Sequence, residues 1–209
     1  MKVLIINGSP RINGNTSIAL NEMKKIFTKN NIEFNEYQVL GKDIRGCIAC
    51  NHCHKKDNLN GGCIFNDDVN KLNEILKESD GIVIASPVYY SSPNGTLISL
   101  LDRLFYSCNY DLKMKVGCSL TCCRRGGNSS SLDVLNKYFS IYEMPIVTST
   151  YWNMVYGRKI GEVTQDEEGL QTVRNLASNM VFLMKSIELG KKEIGMEESE
   201  SGKYTNFIR

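Results

Sequence analysis

Histidine is nearly absent from this sequence. The two among 209 residues, His52 and His54, lie inside one cysteine-rich stretch, so no Ser–His–Asp or Cys–His arrangement is persuasive as a nucleophilic centre. A run of about 18 apolar residues is missing too, which excludes a membrane-spanning helix, and the apolar run Lys2–Asn7 is too short for a secretory core. Charge of one sign is not in excess: 25 lysines and arginines face 23 aspartates and glutamates, for a net charge of +2. No basic stripe argues for nucleic acid as a partner. Internal repeats and low-complexity linkers are absent as well. These absences leave the expectation of a cytoplasmic protein that engages neither membrane nor nucleic acid.

What is present is a 42% hydrophobic chain with eight cysteines. Its length suits one domain with a sizeable core. In a reducing compartment the cysteines are poor disulfide candidates, and they read as core thiols, metal ligands or redox groups.

Strand and helix signals alternate. Residues 2–7, 80–86, 115–122 and 145–151 are short apolar, β-branched runs, and 33–39 alternate through Phe34, Tyr37 and Val39. Between them, 15–29, 67–78, 94–107, 129–142 and 166–188 have helical spacing, the second opened by the capping pair Asp67 and Asp68. Such alternation implies a parallel sheet with helices on both faces. One reversal gives strand order 2-1-3-4-5, with a crevice at the carboxyl ends of the strands. The domain spans 1–190, with a cysteine-rich insertion loop at 41–66. Residues 191–209 form a tail or an oligomer arm, in which Tyr204, Phe207 and Ile208 are candidate contacts.

The first strand runs into Asn7-Gly8-Ser9-Pro10-Arg11-Ile12-Asn13-Gly14-Asn15-Thr16-Ser17 and then a helix. Free N–H groups at a helix start bind anions, with Ser9, Asn15, Thr16 and Ser17 adding uncharged donors and Arg11 a charged fork. Five residues separate Gly8 from Gly14, and Asn15 stands where a triphosphate-binding loop needs lysine. A monophosphate fits this donor set. The plainer reading is a strand–helix turn with Asn15 or Thr16 as an ordinary N-cap.

Gly8-Ser9-Pro10-Arg11-x-x-Gly14-Asn15-Thr16-Ser17 resembles the NAD(P)H-dependent FMN reductases, and specifically their iron–sulfur flavoprotein branch, over roughly residues 1–190. The resemblance implies a flavodoxin-like three-layer α/β sandwich and FMN as cofactor, its phosphate held by Ser9, Arg11, Asn15, Thr16 and Ser17. It also implies NADH or NADPH as donor, a small-molecule or protein acceptor, and a homodimer or homotetramer. In the family a Ser-Pro-x-Tyr segment lines the flavin ring, which maps to Pro87, Val88, Tyr89 and Tyr90 here. Asp102-Arg103 match a helix pair read as structural. The loop after the fourth strand sits beside the ring, through Thr121, Cys122, Arg124 and Gly126. This chain departs there with Cys122, Cys123, Arg124 and Arg125, and the two arginines suit either an anionic cofactor group or solvent.

Cys47, Cys50 and Cys53 have the spacing of ferredoxin-type runs, and Cys63 follows after nine intervening residues that include Asn60, Gly61 and Gly62. Family members place the fourth cysteine closer. Three readings stay open: a [4Fe–4S] cluster on these four residues, free thiols in a lid over the flavin, or zinc recruiting His52 or His54. The function expected is hydride transfer from NADH or NADPH to FMN and onward electron delivery, with no side chain required as acid or base. The alternatives are a non-enzymatic flavodoxin-like electron carrier or a redox-sensing module.

Overall fold

The computed structural model describes residues 1–55, 58, 61–205 and 207. The expectations placed on Asn60 and Ile208 lie outside the described residues. In chain order the strands are β1 (Lys2–Asn7), β2 (Glu33–Gln38), β3 (Gly81–Tyr89), β4 (Ser92–Pro93), β5 (Val116–Cys123) and β6 (Met154–Tyr156). The helices are α1 (Asn15–Lys29), α2 (Asp68–Glu78), α3 (Gly95–Tyr106), α4 (Asn128–Ser140) and α5 (Glu167–Glu193).

The sheet order is β2-β1-β3-β5-β6, all pairs parallel, with the two-residue β4 folded back antiparallel on β3. This is the flavodoxin-like three-layer arrangement. Val3 to Asn7, Gly81 to Ser86 and all of β5 are buried, as central strands covered on both faces must be. Parity along the strands divides the core. Val3 and Ile5 join Val83, Met23, Phe27, Leu176 and Met180 under α1 and α5. Leu4 and Ile6 join Ile82, Ile84, Leu72, Leu101, Leu104 and Phe139 under α2, α3 and α4. Edge strand β2 stays half-exposed.

The fifth strand differs from the expectation of 145–151. There the chain pairs with β5 through the isolated bridge Gly117–Ile146, with Val147 N–H donating to Gly117 O at 2.9 Å. It then leaves the sheet, exposing Tyr151 and Trp152, and returns as β6. Asn153 holds the excursion shut: its carbonyl accepts from Thr121 N–H at 3.0 Å, and its amide donates to Val147 O at 3.3 Å. Residue 153 thus aligns Met154–Tyr156 with Thr121–Cys123. Among the described residues no helix is long and apolar enough to cross a membrane.

Candidate cofactor site

The carboxyl ends of β1, β3, β5 and β6 surround a pocket of about 190 Å³. Its floor is the loop after β1. Gly8 N–H donates to Ala85 O at 2.7 Å, so the loop lies flat on β3. A Cβ on Gly8 would meet Leu97 Cδ2 at 2.6 Å and Ala85 O at 2.9 Å, which explains glycine there. Buried Asn7 accepts from Ser9 N–H at 3.0 Å and donates to Ser17 Oγ at 2.9 Å. From β2, Gln38 donates to the carbonyls of Ser9 and Arg11 at 2.8 and 3.0 Å.

The helix after this loop starts without a side-chain cap. The N-cap residue is Gly14, not Asn15 or Thr16. The same holds for α4, which follows Gly127, whereas α2, α3 and α5 are capped by Asp67, Asn94 and Asp166. The uncapped helices are the two that begin in the loops after β1 and β5. Their first N–H groups are therefore available to an anion or a polar ring edge. At the start of α4, Asn128 is 3% exposed and, among the described residues, neither side-chain polar atom has a partner. Buried polar groups are seldom left so.

Of the expected phosphate ligands, Ser9, Arg11, Asn15 and Thr16 border the pocket. Ser17 does not line it, and its hydroxyl accepts from Asn7. The Asn15 side chain is turned to the loop after β6, donating to Lys159 O at 2.9 Å and accepting from Gly161 N–H at 2.9 Å. What Asn15 can offer an anion is its backbone N–H. Pro87, Val88, Tyr89, Cys122 and Arg124 form the facing wall, while Thr121, which is buried, and Gly126, which is exposed, do not line the pocket. Tyr90 sits at the tip of the β3–β4 hairpin and is fully exposed. Tyr90 and Ser91 both have positive φ, 50° and 59°, the signature of a type I′ turn. Gly127, at φ 90°, packs so closely that a Cβ would meet Ser91 Cα at 2.8 Å, and Ser130 Oγ donates to Ser91 O at 2.8 Å.

Gly157 and Arg158 complete the pocket, and sequence reasoning missed both because it closed the last strand at residue 151. Three arginines, Arg11, Arg124 and Arg158, line the pocket and, among the described residues, no aspartate or glutamate does. The field favours an anion. Burial pushes the Cys122 thiol up to about 12, with Cys123 adding to the rise and the Thr16 hydroxyl opposing it. Cys122 is therefore a neutral wall at ordinary pH.

The cysteine segment lies beyond β2. Cys47, Cys50, Cys53 and Cys63 border one small cavity of about 20 Å³, with Phe65, Arg103 and Tyr106. Burial raises the Cys53 thiol, with Cys63, Cys50 and Cys47 adding to it, which reflects their closeness. Ala49 N–H donates to Cys47 Sγ at 3.4 Å. Among the described residues, no three histidine, cysteine or carboxylate groups are already arranged to grip a metal ion. His54 is instead edge-on to Tyr106, with ring centroids 4.5 Å apart. The Asp102-Arg103 pair separates. Asp102 is exposed and accepts from Tyr138 Oη at 2.5 Å, while Arg103 is 2% exposed and turned towards Cys63. A larger cavity of about 580 Å³ lies between α3, α4 and Cys47, lined mainly by Phe105, Tyr106, Val134, Tyr138, Ile141 and Tyr142.

Comparison with known proteins gives a consistent answer. The profile of a family described as NADPH-dependent FMN reductase matches residues 1–159. An iron–sulfur flavoprotein of Methanocaldococcus jannaschii is 32% identical over 196 residues, covering 90% of this chain and 100% of its own. One of Methanosarcina thermophila is 27% identical over 192 residues, covering 90% and 97%. Among solved structures, RosB with bound 8-demethyl-8-formylriboflavin-5'-phosphate superposes with a TM-score of 0.72 at 16% identity, covering 100% of this chain and 94% of that one. An archaeal flavodoxin gives 0.60 at 13%, covering 88% and 99%. At these identities the two structures speak for the fold alone.

Proposed function

Because the chain belongs to the NADPH-dependent FMN reductase family, we propose that this flavin oxidoreductase uses NADH or NADPH as donor, with its FMN held in the pocket at the carboxyl ends of β1, β3 and β5. The observation that carries the reading is the pairing of an uncapped α1 N-terminus with Arg11 and Ser9 on a loop flattened onto β3. When bound, FMN supplies the hydride and single-electron chemistry, between the nicotinamide donor and a small-molecule or protein acceptor. The chain's residues hold and orient it. The N–H groups of Asn15, Thr16 and Ser17 and the Arg11 fork suit the phosphate. Pro87, Val88 and Tyr89 offer an apolar wall, and the unpartnered Asn128 amide, beside the loop of Arg124 and Gly126, supports a polar ligand edge there. Arg124 and Arg158 complement further negative charge.

The four cysteines fit a [4Fe–4S] cluster in identity and neighbourhood, on Cys47, Cys50, Cys53 and Cys63. The cavity they share has room for one water-sized sphere, so the segment has to open round a cluster. None of the eight cysteines is paired in a disulfide. A homodimer or homotetramer is in keeping with the exposed Tyr106, Val134 and Ile141 along the large groove between α3 and α4.

Anaerobic mixing of the FMN-loaded protein with NADH or NADPH tests the proposal. Bleaching of the flavin band, and its catalytic repetition with an added acceptor, is expected. If neither nucleotide reduces the flavin while a chemical reductant does, the protein is an electron carrier and not a nicotinamide-dependent enzyme.

A further inference from the structure

Cys47, Cys50 and Cys53 are held near one another by the short chain between them. Cys63 is not. Nine residues separate it from Cys53, and the two just before it, Gly61 and Gly62, both have positive φ, 68° and 90°. Something outside the segment has to bring the fourth sulfur in.

Arg103 on α3 has the geometry to do so. Its side chain is almost wholly buried, unusual for arginine unless fully paired. Nε and Nη2 donate to Cys63 Sγ at 3.3 and 3.2 Å. Nη1 donates to Arg45 O at 3.3 Å, two residues before Cys47. Nη1 and Nη2 also clamp the Asp67 carboxylate at 2.6 and 2.9 Å, and Asp67 in turn caps α2 through Val69 N–H at 3.2 Å. Five contacts thus occupy the five N–H bonds of one guanidinium. The group's central carbon lies 4.8 Å from the centre of the Phe65 ring, and that of Arg45 lies 4.6 Å from the same ring centre. One planar group therefore ties the stem entering the cysteine segment to the stem leaving it. It aims two donors at the sulfur that the sequence leaves furthest from the rest.

We propose that Arg103 is the positioning residue of the cysteine centre: it seats Cys63 as the fourth sulfur opposite Cys47, Cys50 and Cys53, and Asp67 locks its orientation. This rests on the cluster reading given above. Asn70 on α2 already holds the Cys63 backbone, its side chain accepting from Cys63 N–H at 2.7 Å and donating to Cys63 O at 2.9 Å; the wide spacing is then tolerated because Arg103 on α3 aims the sulfur itself. Hydrogen bonds to a ligating sulfur also set a cluster's potential, so the same contacts tune it.

The test uses full-length protein, loaded with FMN and reconstituted anaerobically with iron and sulfide, as wild type, Arg103→Gln, Arg103→Lys, Asp67→Asn and Cys63→Ser. Wild type is expected to hold about four irons per chain. Arg103→Gln, with flavin content and far-ultraviolet circular dichroism unchanged, should fall to about three irons and give the oxidised-state electron paramagnetic resonance signal of a three-iron cluster, the result also expected of Cys63→Ser. Arg103→Lys should retain about four irons at a more negative reduction potential, since fewer N–H groups reach the sulfur, and Asp67→Asn should shift in the same direction by less. If Arg103→Gln is folded and matches wild type in iron content and potential, the inference is overturned. Should Arg103→Gln fail to fold, Arg103→Lys decides, and a potential equal to wild type overturns the inference. Wild type that takes up no iron and sulfide removes the cluster reading and this inference together, whereas iron-replete wild type with indifferent variants removes only the inference.

Discussion

The pocket after β1 and the cysteine segment after β2 are held in place by different means. The pocket loop is tied down at several points along its length. Gly8 bonds β3, Ser9 bonds Asn7, the carbonyls of Ser9 and Arg11 are taken by Gln38, and Asn15 locks the loop after β6. What remains is the set of groups that can face a ligand: the first N–H groups of α1, and Arg11, Arg124 and Arg158 at the pocket's border. In the cysteine segment Cys47 and Cys50 are exposed, and the contacts from outside it come from a few side chains: Arg103 with Asp67, Asn70 on the Cys63 backbone, and Tyr106 on Asn51. Preorganisation therefore belongs to the first region and adaptability to the second. A site that must receive a phosphate benefits from donors fixed in advance, whereas a metal cluster contributes folding energy of its own.

This contrast can be broken by mutation, and the largest effect is expected where fixed backbone meets fixed backbone. Gly8→Ala brings a Cβ within 2.9 Å of Ala85 O. The overpacking should cost about 3 kcal/mol in urea unfolding, with weakened FMN retention. A stability within about 0.5 kcal/mol of wild type would show the loop to be adaptable after all. Asn15→Ala removes the partners of Lys159 O and Gly161 N–H. Leaving these groups unpaired should cost about 2 kcal/mol, and added FMN should recover part of the loss.

The two regions were unequally legible in the sequence. The buried runs of β1, β3 and β5 and the loop Gly8–Ser17 are local patterns, and local patterns are what periodicity and turn chemistry report. The last strand was misplaced because Pro145–Tyr151 carries the β-branched residues of a strand, yet only its first part pairs. The three-residue β6 is too short to display a period. Gln38, Gly157 and Arg158 matter through contacts distant in sequence. Arg103 illustrates the same limit. On a helix pattern it is one half of a surface pair with Asp102, and only the packing of α3 shows that the two side chains diverge.

Alkaline titration separates the buried thiols from the exposed ones. Burial pushes Cys108 up to about 11 and Cys122 to about 12, above the value of about 8.5 for a thiol in an unfolded chain. A raised folded value means that this share of stability is complete below about pH 8.5 and is lost as pH rises towards 11–12. The thermal midpoint should therefore fall between pH 8.5 and 10.5 in a series at constant ionic strength. A flat profile would mean that these thiols ionise as freely folded as unfolded. The smallest effect is expected at Cys50. Exposed, and with no hydrogen bond to lose among the described residues, it should tolerate Cys50→Ser with a stability change under about 0.5 kcal/mol in iron-free protein. A change of several times that size would show the segment to be as rigidly built as the pocket.

The most direct test of the cofactor site is a calorimetric titration of flavin-free protein with FMN and, separately, with riboflavin, which lacks the phosphate. Anchoring by the α1 N-terminus and Arg11 predicts one FMN per chain and riboflavin weaker by on the order of 100-fold, about 2.7 kcal/mol. Equal affinities for the two would contradict a phosphate site at Gly8–Ser17.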